Sequence, residues 1–256
     1  MDGSVIDYLE EYIEQIIMEE FKEPEYEQDK LSFMEEICKK YWNNSAVRRY
    51  CIDRYFERKD YDRVLQVLDE SIKLDKAYQG LVLEYNQKKK EIYRLQGNKS
   101  AYIEQLWKLV LEQSAGNLDI YKELKAQYSE EEWLTKREEL FKKLPANAHI
   151  DRMYKEEKLY DRLLAYVLKS SGLYAVQTYE NVLKKEYPKQ ILNKYQDEVN
   201  KMASYTGNRK HYACLVALLR RMKRIKGGTA IVETIVEEWR IKYRNRPAMM
   251  DELSKL

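Results

Sequence analysis

Residues that form tight turns are scarce in this sequence, which has only 8 glycines and 4 prolines among its 256 residues. Proteins built from many short strands need both residue types at their turns. The scarcity therefore argues against a sheet-rich fold and favours a chain that is nearly all helix. Charged residues make up 35% and hydrophobic residues 44% of the chain, which is typical of a soluble globular protein.

Cysteine is also sparse, with Cys38, Cys51 and Cys214 far apart and no CxxC or CxH spacing. This pattern predicts no zinc site. An odd, low cysteine count suits a reducing compartment, so a cytoplasmic location is expected. We expect all three cysteines to be packing residues.

Motifs for catalysis and for membrane insertion are missing as well. The sequence contains no phosphate loop, GxGxxG or nucleophile elbow, and neither His149 nor His211 lies at ligand or triad spacing from a cysteine or aspartate. The longest strictly apolar run, 213–219, is too short to span a bilayer. The acidic first thirty residues show no signal-peptide pattern. The sequence thus predicts a protein that is not an enzyme, has no cofactor or metal and does not enter a membrane.

Apolar residues recur at helical spacing along most of the chain. Residues 1–36, which carry thirteen acids against two lysines, begin this pattern. Another helix is expected to start near Tyr102 and continue through Val110, and a short terminal one starts at Arg246-Pro247. The remaining predicted helices cover 4–21, 28–42, 45–57, 60–73, 77–95, 118–127, 130–143, 173–185, 188–203, 209–225 and 229–243. Residues 149–169 are predicted to form two helices that are bent near 156–158.

One segment occurs twice. Tyr61-Asp62-Arg63-Val64-Leu65 returns as Tyr160-Asp161-Arg162-Leu163-Leu164, and looser copies begin at Tyr102 and Tyr212. These four tyrosines are 41, 58 and 52 residues apart, which is too irregular for a strict 34-residue array. We expect the tyrosine and apolar residues of the repeat to pack between helices. Four charged residues are expected to face outward or cap: Asp62, Arg63, Asp161 and Arg162.

The same dipeptide precedes both looser copies, as Gly97-Asn98 before Tyr102 and as Gly207-Asn208 before Tyr212. We expect each glycine to adopt a positive φ and each asparagine to cap the next helix. The predicted fold is an all-α, irregular tetratricopeptide-like α-solenoid of roughly 10–13 helices. It is expected to form a single domain, 1–256, with acidic N-terminal helices over 1–58 and helix-hairpin repeats over 59–256.

Residues 208–212 and 243–253 form a recognisable C-terminal pattern, with support from 102–108, Trp133 and 186–188. On these residues the C-terminal part resembles the end of bacterial SWIM zinc-finger proteins. In that family a helical region follows a metal-binding module. The CxCx(n)CxH motif of the module is absent here, so no metal ligand is carried over. The resemblance implies that the chain is the helical C-terminal region alone and that it serves as an interaction region.

A basic segment stands out near the C-terminus, because residues 207–226 hold seven Lys or Arg and no acid. One interpretation is a solvated helix end favoured by the helix dipole. The alternatives are a contact for nucleic-acid phosphates or for an acidic partner surface, including the acidic start of another copy. The candidate contact residues are Arg209, Lys210, Arg220, Arg221, Lys223 and Arg224.

The predicted function is a non-enzymatic protein–protein interaction scaffold with an unidentified protein partner. The alternative is an accessory nucleic-acid-binding region that uses the basic segment 207–226.

Overall fold

The computed structural model describes residues 38–256 together with Ser32, Glu35 and Glu36. All regular secondary structure among these residues is helical, which confirms the all-α class. The predicted helix at 4–21 and most of the one at 28–42 lie outside the described residues.

Thirteen α-helices and one π-helix follow one another from Ser45 onward. They are α1 (Ser45–Glu57), α2 (Tyr61–Leu74), α3 (Gln79–Leu95), α4 (Lys99–Lys108), the π-helix (Leu109–Gln113), α5 (Leu118–Lys125), α6 (Glu130–Lys143), α7 (Ile150–Glu156), α8 (Tyr160–Lys169), α9 (Tyr174–Leu183), α10 (Pro188–Ser204), α11 (Arg209–Lys223), α12 (Gly228–Lys242) and α13 (Pro247–Leu253).

Most of these helices begin and end within about two residues of the predicted bounds, a scatter that is ordinary for helix ends. Caps explain the agreement. Ser129 and Glu132 form a capping box at the start of α6. Pro188 occupies the first turn of α10, where its missing N–H costs nothing.

The region after Tyr102 departs from the prediction of one continuous α-helix. The α-helix ends at Lys108 and becomes a π-helix, in which Ser114 N–H donates to the carbonyl oxygen of Leu109 at 2.8 Å. A π-turn inserts one extra residue per turn and therefore rotates the following side chains. An ordinary helical pattern of apolar residues does not signal it.

The chain divides into two compact units, unit 1 up to Ile150 and unit 2 from Asp151 to Leu256. In unit 1 each helix from α1 to α5 packs against the next one along the chain. Its core includes fully buried residues of three consecutive helices, Cys51, Leu68 and Ile92. None of the described helices is long and apolar enough to cross a bilayer.

Unit 2 also packs mainly through sequence neighbours, with α8 against α9, α9 against α10, and α10 against α11. α13 folds back onto α11. The core of this unit includes Leu163, Tyr195, Leu219 and Trp239, and the indole N–H of Trp239 donates to Asn200 Oδ1 at 2.7 Å.

The two close copies of the repeat share a backbone feature. Lys59 and Lys158, each two residues before the leading tyrosine, adopt positive φ values of 60° and 55°. In both copies the next residue donates its N–H back to a tyrosine carbonyl, from Asp60 to Tyr55 at 3.0 Å and from Leu159 to Tyr154 at 2.8 Å. This is the Schellman closure of a helix, so both copies make the same turn. As predicted, the Asp-Arg pairs that follow the tyrosines are exposed.

The Gly-Asn turns agree with the prediction in part. Gly97 has a φ of 67° and Asn98 Oδ1 accepts from Ala101 N–H at 3.1 Å. Asn208 also caps its helix, but Gly207 does not have a positive φ, so that expectation was wrong. Gly207 N–H instead donates to the Tyr212 hydroxyl at 3.1 Å.

The cysteine predictions require correction. Cys38 and Cys51 are joined by a disulfide whose Cα atoms lie 6.8 Å apart, and both residues are buried. Cys214 is exposed and is not a packing residue. A separation of 13 residues gave no sign of pairing, because the pairing depends on how Cys38 packs against α1.

Gly228 provides a sensitive test of packing in unit 2. A Cβ at this position would overlap the Met222 carbonyl oxygen and lie 2.7 Å from its carbonyl carbon. We expect Gly228→Ala to lower the free energy of unfolding by about 3 kcal/mol, because backbone atoms cannot yield as a flexible side chain can. Gly80→Ala in α3 is the control. A Cβ added at Gly80 would have no atom within 4 Å, so this variant should be more stable by about 0.5–1 kcal/mol. Urea unfolding of both variants measures this, and equal effects would contradict the packing.

Candidate functional site

The basic segment lies on α11 and the turn after it, and several of its cations have partners within unit 2. Arg209 Nη1 pairs with Asp251 and lies 3.3 Å from Glu252 Oε1. Arg220 Nη2 donates to the carbonyl oxygen of Lys255 at 2.5 Å. These contacts tie α11 to α13 and to the C-terminal residues.

Two further candidate residues are also engaged. Arg221 Nε donates to Glu180 Oε2 at 2.5 Å, and its Nη2 donates to the carbonyl oxygen of Gln177 at 3.0 Å. Lys223 Nζ lies 3.5 Å from the carbonyl oxygen of Leu256. Arg221 therefore joins α11 to α9.

Lys210 and Arg224 differ from the other four candidates. Both are exposed, and neither side chain has a hydrogen-bond or ion-pair partner among the described residues. The six predicted contact residues thus divide into four whose side chains have partners within unit 2 and two whose side chains have none among the described residues, and Arg209 and Arg220 are exposed as well.

Glu180 gives the Arg221 contact a pH dependence. Burial alone would raise the pKa of Glu180, but hydrogen bonds from Tyr195 and Arg221 outweigh it and hold the pKa below its ordinary value. Because the folded pKa is depressed, the stability from ionised Glu180 is present above about pH 4.3 and is lost as the pH falls through the folded pKa.

We expect Arg221→Met to raise the pKa of the still-buried Glu180, so that acid unfolding of unit 2 begins at a higher pH. Arg224→Met removes an exposed arginine three residues away and should leave the midpoint unchanged. Acid titration followed by circular dichroism compares them. Identical midpoints for the two variants would contradict the coupling.

Unit 1 carries the more distinctive surface features. A cavity of about 550 Å³ lies beside Cys38, Trp42 and Tyr55. Two of its four charged residues are paired, with Arg63 Nη1 2.6 Å from Glu35 Oε1.

A second cavity, of about 410 Å³, adjoins the π-helix. Two of its polar side chains have partners. Lys89 Nζ lies 2.6 Å from Asp69 Oδ1, and the Trp107 indole N–H donates to the Tyr128 hydroxyl at 2.9 Å.

A third cavity, of about 270 Å³, opens between α1 and α3 above α2, and we call it the α1–α3 groove. Its lining combines an apolar floor with charged residues of both signs. The lining residues are Arg49, Ile52, Asp53, Leu68, Glu84, Tyr85, Gln87, Lys88 and Glu91.

Arg49 distinguishes the α1–α3 groove from the other two cavities. Its Nε and Nη2 are closed to solvent and have no hydrogen-bond acceptor among the described residues. Buried donors in native proteins are nearly always paired, so an unpaired guanidinium edge is a feature that requires explanation.

The neighbouring Arg48, in the same helix, has a hydrogen-bond acceptor for each of its three guanidinium nitrogens. Its Nε donates to Ser71 Oγ at 3.1 Å, its Nη1 to the Trp42 carbonyl at 2.5 Å and its Nη2 to Asp75 Oδ2 at 2.5 Å. Tyr85 adds a hydrogen bond to the same Asp75 oxygen at 2.8 Å. Arg48 is thus a structural residue, whereas Arg49 lacks internal partners for that edge.

The two histidines lie in different surroundings. His149 is exposed. His211 lies near the start of α11, and its Nε2 is 3.1 Å from the carbonyl oxygen of Met202 in α10. The described residues hold no group of three His, Cys, Asp or Glu placed to bind a metal.

Sequence reasoning missed the α1–α3 groove, because its residues are separated by up to about forty positions and join only through the packing of α1, α2 and α3. The only available signal was the adjacent pair Arg48-Arg49 in a helix with one buried face. Consecutive helical positions point about 100° apart, so the pair alone does not indicate which arginine is buried.

Comparison with known proteins adds no relative to this picture. No model of a known protein family matches the chain, and no match appears among curated proteins.

Proposed function

We propose that this chain is a non-enzymatic protein-interaction module built from irregular helix hairpins, with the α1–α3 groove as its binding surface. The observation that carries the proposal is the unpaired Arg49 edge in a groove with a charged lining. Successive helices that contact mainly their neighbours support an arrangement like the tetratricopeptide solenoid, which presents grooves of this kind.

The shared turn at Lys59 and Lys158 further supports a repeat origin for the hairpins, since both copies close with the same backbone conformation. Under the resemblance to SWIM zinc-finger proteins, the module would be a helical region beside a zinc-binding module. Sequencing the complete gene tests that part, and a CxCx(n)CxH segment directly upstream is the expected result.

Site-specific photo-crosslinking tests the groove itself. A photoreactive residue placed at Gln87, which is exposed in the groove, should crosslink to a protein partner in cells. The same residue at Glu233, exposed on α12 in unit 2, is the control. Partner crosslinks that arise equally from both positions, or only from Glu233, would end the proposal.

A second candidate function rests on Lys210 and Arg224, the two of the six candidate residues whose exposed side chains have no partner among the described residues. If they contact nucleic-acid phosphates, mobility shift should show binding at low salt that weakens as salt rises. Lys210→Ala with Arg224→Ala should reduce the salt slope by about two, since each phosphate contact contributes about 0.9. Lys73→Ala with Lys76→Ala in unit 1 is the control, and absence of a shift at low salt would eliminate this function.

A further inference from the structure

We infer that the α1–α3 groove binds a single carboxylate of a partner peptide through Arg49, and that it selects a carboxylate with basic neighbours. The inference rests on the proposed function, because it names the partner chemistry of the same groove. It starts from the unsatisfied guanidinium edge, and each further step uses a residue of the lining.

The edge formed by Nε and Nη2 is the first element. These two nitrogens carry parallel N–H groups, which match the two oxygens of one carboxylate in a bidentate hydrogen bond. Both atoms lack an acceptor among the described residues, while Arg49 itself forms part of the groove wall. Because both nitrogens are closed to solvent, binding requires rotation about the side-chain torsions of Arg49 to bring this edge to a ligand in the groove.

The surroundings of Arg49 strengthen such a bond. Ile52, Leu68 and Tyr85 line the same groove, and all three are buried. A charge-assisted hydrogen bond gains strength in an environment from which water is partly excluded.

The rim supplies selectivity. Asp53, Glu84 and Glu91 place three carboxylates around the groove. Lys88 offsets part of this charge, with its Nζ 4.0 Å from Asp53, 3.8 Å from Glu91 and 3.7 Å from the centroid of the Phe56 ring, so the rim holds three carboxylates against one lysine.

An acidic rim opposes ligands with high negative charge. A phosphate dianion or a run of acidic side chains would meet repulsion from three carboxylates, whereas one carboxylate flanked by lysines would satisfy both Arg49 and the rim. The groove therefore fits a peptide in which an acidic residue lies between basic ones.

Titration of the full chain with short peptides tests the inference. The probes are an alanine-based peptide containing Lys-Glu-Lys, the matched Lys-Gln-Lys peptide, a Glu-Glu-Glu peptide and inorganic phosphate. The readout is the Nε–Hε NMR resonance of Arg49, assigned by its loss in Arg49→Lys. We expect a saturable shift with the Lys-Glu-Lys peptide and at least tenfold weaker binding of the other three probes.

Variants separate the groove from the rest of the surface. In calorimetric titrations, which do not depend on the Arg49 resonance, Arg49→Met should weaken Lys-Glu-Lys binding by about tenfold to a hundredfold, as expected for loss of a charge-assisted hydrogen bond. Arg58→Met removes an exposed arginine at the end of α1 and should bind as the wild type does. Glu84→Gln should reduce the preference for Lys-Glu-Lys over Glu-Glu-Glu.

Three outcomes would overturn the inference: an unmoved Arg49 resonance, equal binding of Lys-Glu-Lys and Lys-Gln-Lys, or tighter binding of phosphate. The wild-type resonance decides the question even if a variant fails to fold. Partner crosslinks from Gln87 together with an unmoved Arg49 resonance would leave the proposed function standing and remove only its carboxylate chemistry.

Discussion

Replacing Arg48 with methionine is expected to lower the free energy of unfolding by about 3–5 kcal/mol, the usual cost of removing one partner from a buried ion pair. Arg48 is fully buried and Asp75 is 6% exposed. Without the guanidinium, Asp75 would keep the Tyr85 hydroxyl as its described side-chain donor. Burial and this hydrogen bond raise the pKa of Tyr85, which therefore stays protonated and does not replace the lost charge.

Arg49→Met is the matched control, because it makes the same chemical change one residue further along α1. It removes two donors that have no acceptor among the described residues, so we expect stability to be unchanged or to rise by about 1 kcal/mol. Urea unfolding followed by circular dichroism measures both variants. Arg48 would not be the structural residue of the pair if the free energy of unfolding of Arg48→Met stayed within about 1 kcal/mol of the wild type, or if both variants lost the same amount of stability.

Reducing the Cys38–Cys51 disulfide is expected to have the next largest effect. Closing a loop of about this length stabilises a protein by about 3 kcal/mol, chiefly by restricting the unfolded chain. We therefore expect a reducing agent to lower the melting temperature of the wild type, on the order of 10 °C for a unit of this size.

The remaining cysteine provides the control for the disulfide. A variant with Cys38→Ser and Cys51→Ser should melt near the reduced wild type whether or not reductant is present. Cys214→Ser changes an exposed, free thiol and should respond to reductant as the wild type does. A melting temperature that reductant leaves unchanged in the wild type would show that the bond does not stabilise unit 1.

The helices themselves were largely predictable, because their signals are local. Asn98, Asn208 and Ser129 each cap the helix that the sequence places after them. Capping depends on residues within one turn of the helix start, so a single sequence contains the information. The repeat was also visible locally, since Tyr61 and Tyr160 lead nearly identical segments.

The features that were missed depend on distant parts of the chain. The disulfide requires Cys38 to pack on α1, and the α1–α3 groove requires three helices to meet. The prediction of a positive φ at Gly207 was wrong, and the N–H of Gly207 donates to the Tyr212 hydroxyl, a contact made only in the folded chain. The spacing of apolar residues and the residue types at turns are local patterns, and they do not indicate contacts of this kind.

The basic segment shows the same limit for charge. Its sequence indicates a concentration of cations but does not show which of them have acceptors. Arg209 and Arg221 find theirs on α13 and α9, at separations of about forty residues. The charge pattern therefore predicted where the cations lie, but it did not predict which of them have partners within the fold.

The left-handed turn at Lys59 and Lys158 bears on how such a chain can change in length. Inserting one residue between the lysine and the tyrosine would separate the left-handed closure of one helix from the start of the next. Insertions are better tolerated in the connections between hairpins. The uneven intervals of 41, 58 and 52 residues between the tyrosines fit this division, since the two close copies keep the Lys-x-Tyr spacing unchanged while the distances between copies vary. The turn therefore fixes the connection between the two helices of each close copy, and the differences in interval lie in the segments between copies.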